Sequence, residues 1–150
     1  SYGVESEGVL VAFASIHGNT RKVAEKIASI LEKQGAKKVV VSDLSRDDEA
    51  EVIEDAFRYG RMIVAAPTYD GGLFPPMESF LSHLKSKNYQ KRTVGIIENG
   101  TWAPMSGKLM KAALESMKEI KICDTVVTIK SALKAEQEDS LVALAKEVLA

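Results

Sequence analysis

Apolar residues follow two patterns along the chain, namely short unbroken runs and longer stretches at helical spacing. Unbroken runs of this length are typical of strands that are covered on both faces, as in a parallel sheet. Counted with their flanking residues, five such runs lie at residues 9–14, 38–42, 62–66, 93–97 and 123–129. The stretches between them repeat apolar residues every three or four positions, which predicts amphipathic helices. These helices cover residues 21–34, 48–59, 107–117 and 136–149, and a further one opens at Pro75 and Pro76.

The alternation of strands and helices predicts one doubly wound α/β domain, in which helices cover both faces of a parallel sheet. The length of 150 residues suits a single domain, which at that size buries roughly 68–70% of its unfolded surface. In sheets of this kind, ligands bind outside the carboxyl ends of the strands, where the strand order reverses. The long loops after the first, third and fourth strands lie at that edge. We therefore expect the functional site there.

The first of these loops joins a buried strand to a helix and predicts a phosphate site. A helix N-terminus leaves backbone N–H groups without intrahelical partners and carries partial positive charge, so an anion is a natural occupant. Gly18 permits a close approach, and three polar side chains can add donors. A plain strand-to-helix turn with good capping residues is the alternative from this loop alone. The loop consists of Ser15, Ile16, His17, Gly18, Asn19 and Thr20.

The second and third loops carry aromatic residues, glycines and one acid. A planar apolar ligand can lie between such loops, with a Tyr or Trp ring on its face and backbone groups at its edge. The second loop contains Pro67, Thr68, Tyr69, Asp70, Gly71 and Gly72. The third contains Asn99, Gly100, Thr101 and Trp102, the only tryptophan of the chain. The sequence therefore predicts an anion site beside a site for a flat ring system.

Composition excludes several other functions. With 20 basic and 21 acidic side chains, the chain offers no overall charge for nucleic acid or an anionic membrane. A single cysteine, Cys123, forms no internal disulfide, which fits a reducing cytoplasm. No stretch approaches the roughly 20 apolar residues of a membrane span, and no signal pattern opens the chain. Because the chain begins at Ser1 without methionine, we expect a trimmed chain or a piece of a longer one.

Two motifs, in this order along the chain, resemble those of the flavodoxin family: Ser15-x-x-Gly18-Asn19-Thr20 after the first strand and residues 67–72 after the third. The resemblance spans the whole chain. It is closer to the C-terminal flavodoxin-like domain of flavodiiron proteins, or A-type flavoproteins, than to free-standing flavodoxins. The segments that carry this distinction are Gly18-Asn19-Thr20-Arg21, Pro67-Thr68-Tyr69, Pro75-Pro76-Met77 and Gly100-x-Trp102.

The resemblance implies a flavodoxin-like α/β fold, with a five-stranded parallel sheet in the order 2-1-3-4-5 and an FMN-binding domain at residues 8–150. Residues 1–7 would be an N-terminal tail or the remnant of a linker. FMN would bind non-covalently, with its phosphate on residues 15–20 and its ring between the second and third loops. The resemblance also implies a second-loop peptide that turns over so that its carbonyl accepts a hydrogen bond from reduced flavin. Asp70-Gly71 and Gly71-Gly72 are the candidates, since glycine tolerates both backbone states.

Some residues depart from the family pattern. His17 stands where many flavodoxins have Ser or Thr, and Glu98 and Asn99 stand before Gly100 where small residues are expected. The diiron site of flavodiiron proteins lies on another domain and needs a cluster of His, Asp and Glu, which two histidines do not supply. The chain is thus expected to relay electrons, with oxidoreductase activity only within a larger protein or with partners.

The expected partners, implied by the resemblance, are a rubredoxin or reductase, or a fused diiron domain, and a homodimer is a further expectation. A flavin-dependent NAD(P)H or quinone oxidoreductase and a flavin-free interaction domain remain alternatives. A response-regulator receiver is disfavoured, because Ala14-Ser15 and Ala66-Pro67 stand where acidic residues are required. Hydrolysis is not indicated, since no nucleophile has a base at readable spacing.

Overall fold

The computed structural model describes residues 4–100, 104–130 and 134–150. Within these ranges, strands and helices alternate much as the sequence predicts. The strands are β1 (Ser6–Phe13), β2 (Val39–Asp43), β3 (Tyr59–Tyr69), β4 (Gly72–Leu73), β5 (Gln90–Asn99) and β6 (Lys118–Ile129). The helices are α1 (Asn19–Lys33), α2 (Glu49–Arg58), α3 (Pro75–Ser86), α4 (Ser106–Glu115) and α5 (Ala135–Leu149).

Five of the strands form a parallel sheet in the order β2-β1-β3-β5-β6. This is the predicted order 2-1-3-4-5, renumbered because the short strand β4 pairs antiparallel with the end of β3. Phe13 pairs with Ala65, and Ala65 pairs with Ile97. The carboxyl ends of β1, β3 and β5 are therefore level, and the loops that follow them lie side by side.

Two apolar cores cover the two faces of the sheet. On one face, side chains such as Leu10 and Met62 pack against α2, α3 and α4, and on the other Val11 and Ile63 pack against α1 and α5. The predicted inner faces of the helices are buried, although three of their members are half-buried, namely Phe57, Leu109 and Ala113. The doubly wound arrangement is confirmed.

The predicted and observed ends of the elements differ most where polar residues continue a strand. β6 begins at Lys118, five residues before the predicted start, because it is an edge strand whose exposed positions carry charged side chains and hide the apolar run. β1 begins at Ser6, two residues before the expected start of the domain. None of the described helices combines the length and the apolar character that a bilayer span requires.

A bulge in β6 is held by α5. Val94 pairs with Ile122 and Ile96 with Val126, so β6 uses four residues where β5 uses two. The Thr125 N–H donates to Glu147 Oε1 at 3.0 Å, and the Thr125 hydroxyl donates to the other carboxylate oxygen. These hydrogen bonds, the hydroxyl first, lower the pKa of Glu147. Burial raises the pKa of Cys123, also in the bulge, to about 11, so this residue remains a thiol at neutral pH.

Arg92 is a buried cation at the amino edge of the sheet. Its guanidinium donates to the backbone carbonyl oxygens of Phe57, Tyr59 and Gln90 at 2.7, 3.0 and 2.6 Å. It also lies 6.0 Å from the centre of the Phe57 ring and 5.5 Å from that of Tyr89. One side chain thus joins the end of α2 to the first residues of β3 and β5.

Candidate functional site

The three predicted loops meet at the carboxyl edge of the sheet. The N–H of Ala14 donates to the Ala65 carbonyl at 3.0 Å, and Pro67 pairs with Asn99. The loop after β1 therefore borders the loop after β3, which in turn borders the loop after β5. This order puts the first loop, the expected anion site, beside the second loop, and the second loop beside Asn99 and Gly100 of the third, so that the two loops expected to hold the ring are neighbours.

The first loop leaves the N-terminus of α1 open. Gly18 has φ +86°, and no atom lies within 4 Å of the position that a β-carbon would take there. No side chain caps the helix at Gly18. The first-turn N–H groups lack intrahelical partners by geometry, and the helix dipole favours negative charge beside them. Helix ends of this kind are common anion-binding sites in proteins.

Two hydroxyls of the first loop hold its shape. The Gly18 N–H donates to Ser15 Oγ at 2.8 Å, which leaves the Ser15 O–H as a donor. Thr20 is 2% exposed, and its Oγ1 accepts from Asn99 Nδ2 at 3.4 Å. The first loop is thereby tied to the end of β5. Ile16, His17 and Asn19, in contrast, are exposed.

Sequence reasoning missed the ion pair that fixes the start of α1. The Arg21 guanidinium pairs with the Asp43 carboxylate at the end of β2 and lies 5.1 Å from the centre of the Phe13 ring. Asp43 Oδ1 also accepts the Ser45 N–H at 2.9 Å. A basic residue in the first turn and an acid at a strand end are visible in the sequence, but their pairing depends on the β1–β2 register.

The second loop is a tight hairpin between β3 and β4. Tyr69 pairs with Gly72, and the two residues between them, Asp70 and Gly71, have φ +51° and +75°. Positive φ at both central positions is the signature of a type I′ turn, for which Asp-Gly is a favoured pair. Turning over the Asp70-Gly71 peptide would give a type II′ turn, whose first central position normally requires glycine. Of the two candidate peptides, Gly71-Gly72 therefore meets the smaller steric obstacle.

Tyr69 presents an aromatic ring at this edge. Its side chain is 49% exposed, and its ring centre lies 5.4 Å from that of Phe74 at an interplanar angle of 53°. An apolar ring that is this exposed, and supported from one side, suits stacking with a planar ligand. Phe74 was not among the predicted site residues.

The third loop is anchored at both described ends. The Gly100 N–H donates to the Ile129 carbonyl at 3.0 Å, and Thr68 Oγ1 accepts the N–H groups of Met105 and Ser106 at 2.8 and 3.1 Å. Thr68 thus connects the second loop to the end of the third. Two predicted contact residues, Thr101 and Trp102, lie outside the described residues.

A groove of about 900 Å³ lies elsewhere, between α2 and the end of α3. Glu49 in this groove pairs with His83 and accepts the Ser79 hydroxyl at 3.0 Å. None of its lining residues belongs to the three loops, so it is not assigned to the predicted site. The described ranges hold no cluster of three or more His, Cys, Asp or Glu that could bind a metal.

Sequence comparison identifies the family of this domain. The model of the flavodoxin domain matches residues 10–137. The chain belongs to the flavodoxin family. FMN, the cofactor expected from the sequence, is the cofactor of this family. A curated relative of this flavodoxin-type domain is the coenzyme F420H(2) oxidase of Methanothermobacter marburgensis, which is 30% identical over 89 residues, covering 59% of this chain and 22% of the oxidase.

Solved structures share this fold, both as part of longer chains and as a free-standing flavodoxin. Rubredoxin oxygen:oxidoreductase of Desulfovibrio gigas has a TM-score of 0.90 at 20% identity, over 97% of this chain and 36% of that chain. The Flv1 flavodiiron core of Synechocystis sp. PCC6803 has 0.83 at 17% identity, with the same coverage. The flavodoxin of Streptococcus pneumonia TIGR4 has 0.79 at 23% identity, over 94% of this chain and 97% of that chain. The expected resemblance to the flavodoxin-like domain of flavodiiron proteins is confirmed.

Proposed function

We propose that this flavodoxin-type domain binds one FMN non-covalently at the carboxyl edge of its sheet and relays electrons. The observation that carries the proposal is the uncapped N-terminus of α1 at Gly18, where a β-carbon would meet no atom within 4 Å. An open, positively polarised helix end beside a half-exposed tyrosine fits a ligand that joins a phosphate to a flat ring. FMN supplies one- and two-electron transfer when bound.

The residues of the three loops would divide the binding between them. The Ser15 hydroxyl and N–H groups of residues 15–20 would hold the phosphate, while the Gly18 N–H holds Ser15 Oγ in place. Tyr69 would cover one face of the ring, and backbone groups of residues 70–72 and 99–100 would contact its edge. Asp70, exposed at the hairpin tip, would hold negative charge near the ring and disfavour its reduced anionic form.

A place within a larger flavodiiron-type flavoprotein is the finer part of the proposal. The chain covers 97% of a free-standing flavodoxin but only 36% of rubredoxin oxygen:oxidoreductase and of the Flv1 core. We propose that a fused diiron domain, or a rubredoxin or reductase, exchanges electrons with the flavin in the cytoplasm. Homodimer formation belongs to the same proposal.

Titration of the purified chain with FMN, followed by absorbance and stepwise reduction, tests the proposal. We expect saturable binding at one FMN per chain and reversible reduction, with riboflavin bound more weakly because it lacks the phosphate. No change in the FMN spectrum at micromolar protein would refute the assignment and favour a flavin-free interaction domain. Steady-state NADH or NADPH oxidation with a quinone by the chain alone would instead favour the oxidoreductase alternative.

A further inference from the structure

The first turn of α4 is capped by side chains that come from β3 and β5. Met105, the residue before the helix, provides no side-chain cap. Instead, Thr68 Oγ1 accepts the N–H groups of Met105 and Ser106, and Glu98 Oε2 accepts that of Gly107 at 2.7 Å. Three consecutive N–H groups, which by geometry lack intrahelical partners, are thus held by one residue at the end of β3 and one near the end of β5.

Glu98 is itself fixed from a second side. Its Oε1 accepts the Thr128 hydroxyl of β6 at 3.0 Å. A β-carbon at Gly107 would lie only 2.2 Å from Glu98 Oε2, so the absence of a side chain at this position is what allows the carboxylate to approach the helix. The packing of Gly107 and the hydrogen bonds of Glu98 are therefore parts of one arrangement.

These contacts fix the third loop at its exit, while the Gly100 N–H fixes its entry on the Ile129 carbonyl at 3.0 Å. A β-carbon at Gly100 would lie 3.3 Å from Pro104 Cβ and 3.7 Å from Thr68 Oγ1. The two described ends of the loop therefore converge on the Thr68 hydroxyl. A movement of Thr68 in the second loop would therefore act on both described ends of the third, at Gly100 and at Met105.

We propose that Thr68 and Glu98 are positioning residues that set the distance between the second and third loops, and hence the share of flavin affinity contributed by the ring. This inference rests on the proposed function. The Thr68 oxygen already accepts two N–H groups, which uses its acceptor capacity. Its principal role is therefore the spacing of the loops rather than acceptance of a hydrogen bond from the ligand. The phosphate loop lies on the far side of β3 and is joined to β5 through Thr20 and Asn99, a contact that neither Thr68 nor Glu98 provides.

Thr68→Val tests the clamp because valine keeps the shape but removes the oxygen. In the flavin-free protein we expect faster amide hydrogen exchange at Met105 and Ser106. The dissociation constants of FMN and riboflavin should rise together, by roughly tenfold, because binding must then order loops that the Thr68 oxygen no longer holds, while that of inorganic phosphate stays unchanged. Thr68→Ser should restore both exchange and affinity. Thr93→Val, at a half-buried strand threonine, is the matched control and should leave all values unchanged.

Glu98→Gln provides an independent variant should Thr68→Val fail to fold. It keeps an oxygen for one donor and should accelerate exchange at Gly107 with a smaller loss of flavin affinity. If wild-type protein binds neither FMN nor riboflavin, the proposed function itself fails. If wild-type protein binds both, and the clamp variants bind them equally well or lose phosphate affinity by the same factor, the positioning inference fails while the proposed function stands.

Discussion

Gly18→Ala is the sharpest test of the phosphate site, because the chain contains a matched control on the same helix. Gly18 precedes α1 with φ +86°, and Gly35 follows it with φ +100°. At both positions no atom lies within 4 Å of a built β-carbon. Alanine at either position therefore meets the same obstacle, a left-handed backbone that costs an L-residue roughly 1–2 kcal/mol.

The two variants should lose similar stability but differ in ligand affinity. Urea denaturation should show each to be destabilised by about 1–2 kcal/mol. For FMN, Gly18→Ala places a methyl group on the open side of the cradle and disturbs the N–H that donates to Ser15 Oγ at 2.8 Å. The Ser15 hydroxyl would then no longer be held toward the phosphate, and loss of its one charge-assisted hydrogen bond, about 1.5–3 kcal/mol, corresponds to a rise of roughly tenfold or more in the dissociation constant. Gly35→Ala should bind FMN as the wild type does.

Fluorescence titration with FMN and with riboflavin completes the assay. Because riboflavin has no phosphate, its affinity should be the same in all three proteins. Equal FMN affinity in Gly18→Ala and Gly35→Ala would refute the assignment of the phosphate to this helix end, even if both variants are destabilised as expected.

Three further predictions concern the ring, the sheet edge and the core. Asp70→Asn should raise the reduction potential of the bound flavin. Glu115, which is exposed at the other edge of the sheet, provides the control, and Glu115→Gln should leave the potential unchanged. An unchanged potential in Asp70→Asn contradicts the role given to that carboxylate. Because the pKa of Glu147 is lowered, its stabilising effect is present at neutral pH and lost as the pH falls from 4.5 through the lowered value. The difference in unfolding free energy between wild type and Glu147→Gln should shrink over that range, and a difference that is independent of pH speaks against it. Arg92→Met removes the donor of three hydrogen bonds to backbone carbonyls and should cost about 3 kcal/mol, measured by urea denaturation. A cost below about 1 kcal/mol means that the carbonyls find other partners.

The fold could be predicted because the central strands are apolar on both faces. Met62 to Ala66 are all buried, so their unbroken apolar run identifies a strand. The helical spacing of apolar residues predicts the ends of the helices to within about two residues. β6 was foreshortened in the prediction because an edge strand leaves its outer positions to solvent, as at Lys121 and Asp124. β4 was missed because two residues give no periodicity, although Asp70-Gly71 carried the hairpin signal.

The loops of the candidate site could be predicted, but the contacts between them could not. Residue types and the carboxyl-edge rule were enough to name the three loops. The hydrogen bonds that join them connect residues far apart in the chain, such as Thr20 with Asn99 and Thr68 with Ser106. Those partners are separated by 79 and 38 positions, and only the register of the sheet brings them together.

These contacts give the polar side chains of the site a structural role. The Ser15, Thr20 and Thr68 oxygens all accept hydrogen bonds from the protein itself, so the hydroxyls shape the loops first. Within the part of the loops that the structure describes, the backbone at the start of α1 and the exposed ring of Tyr69 are open toward a ligand. A cradle made of backbone N–H groups places little demand on the side chain that each residue carries. This explains how histidine can stand at position 17, where many flavodoxins have a small hydroxyl residue: the His17 side chain is exposed, and its N–H is the part that the phosphate would use.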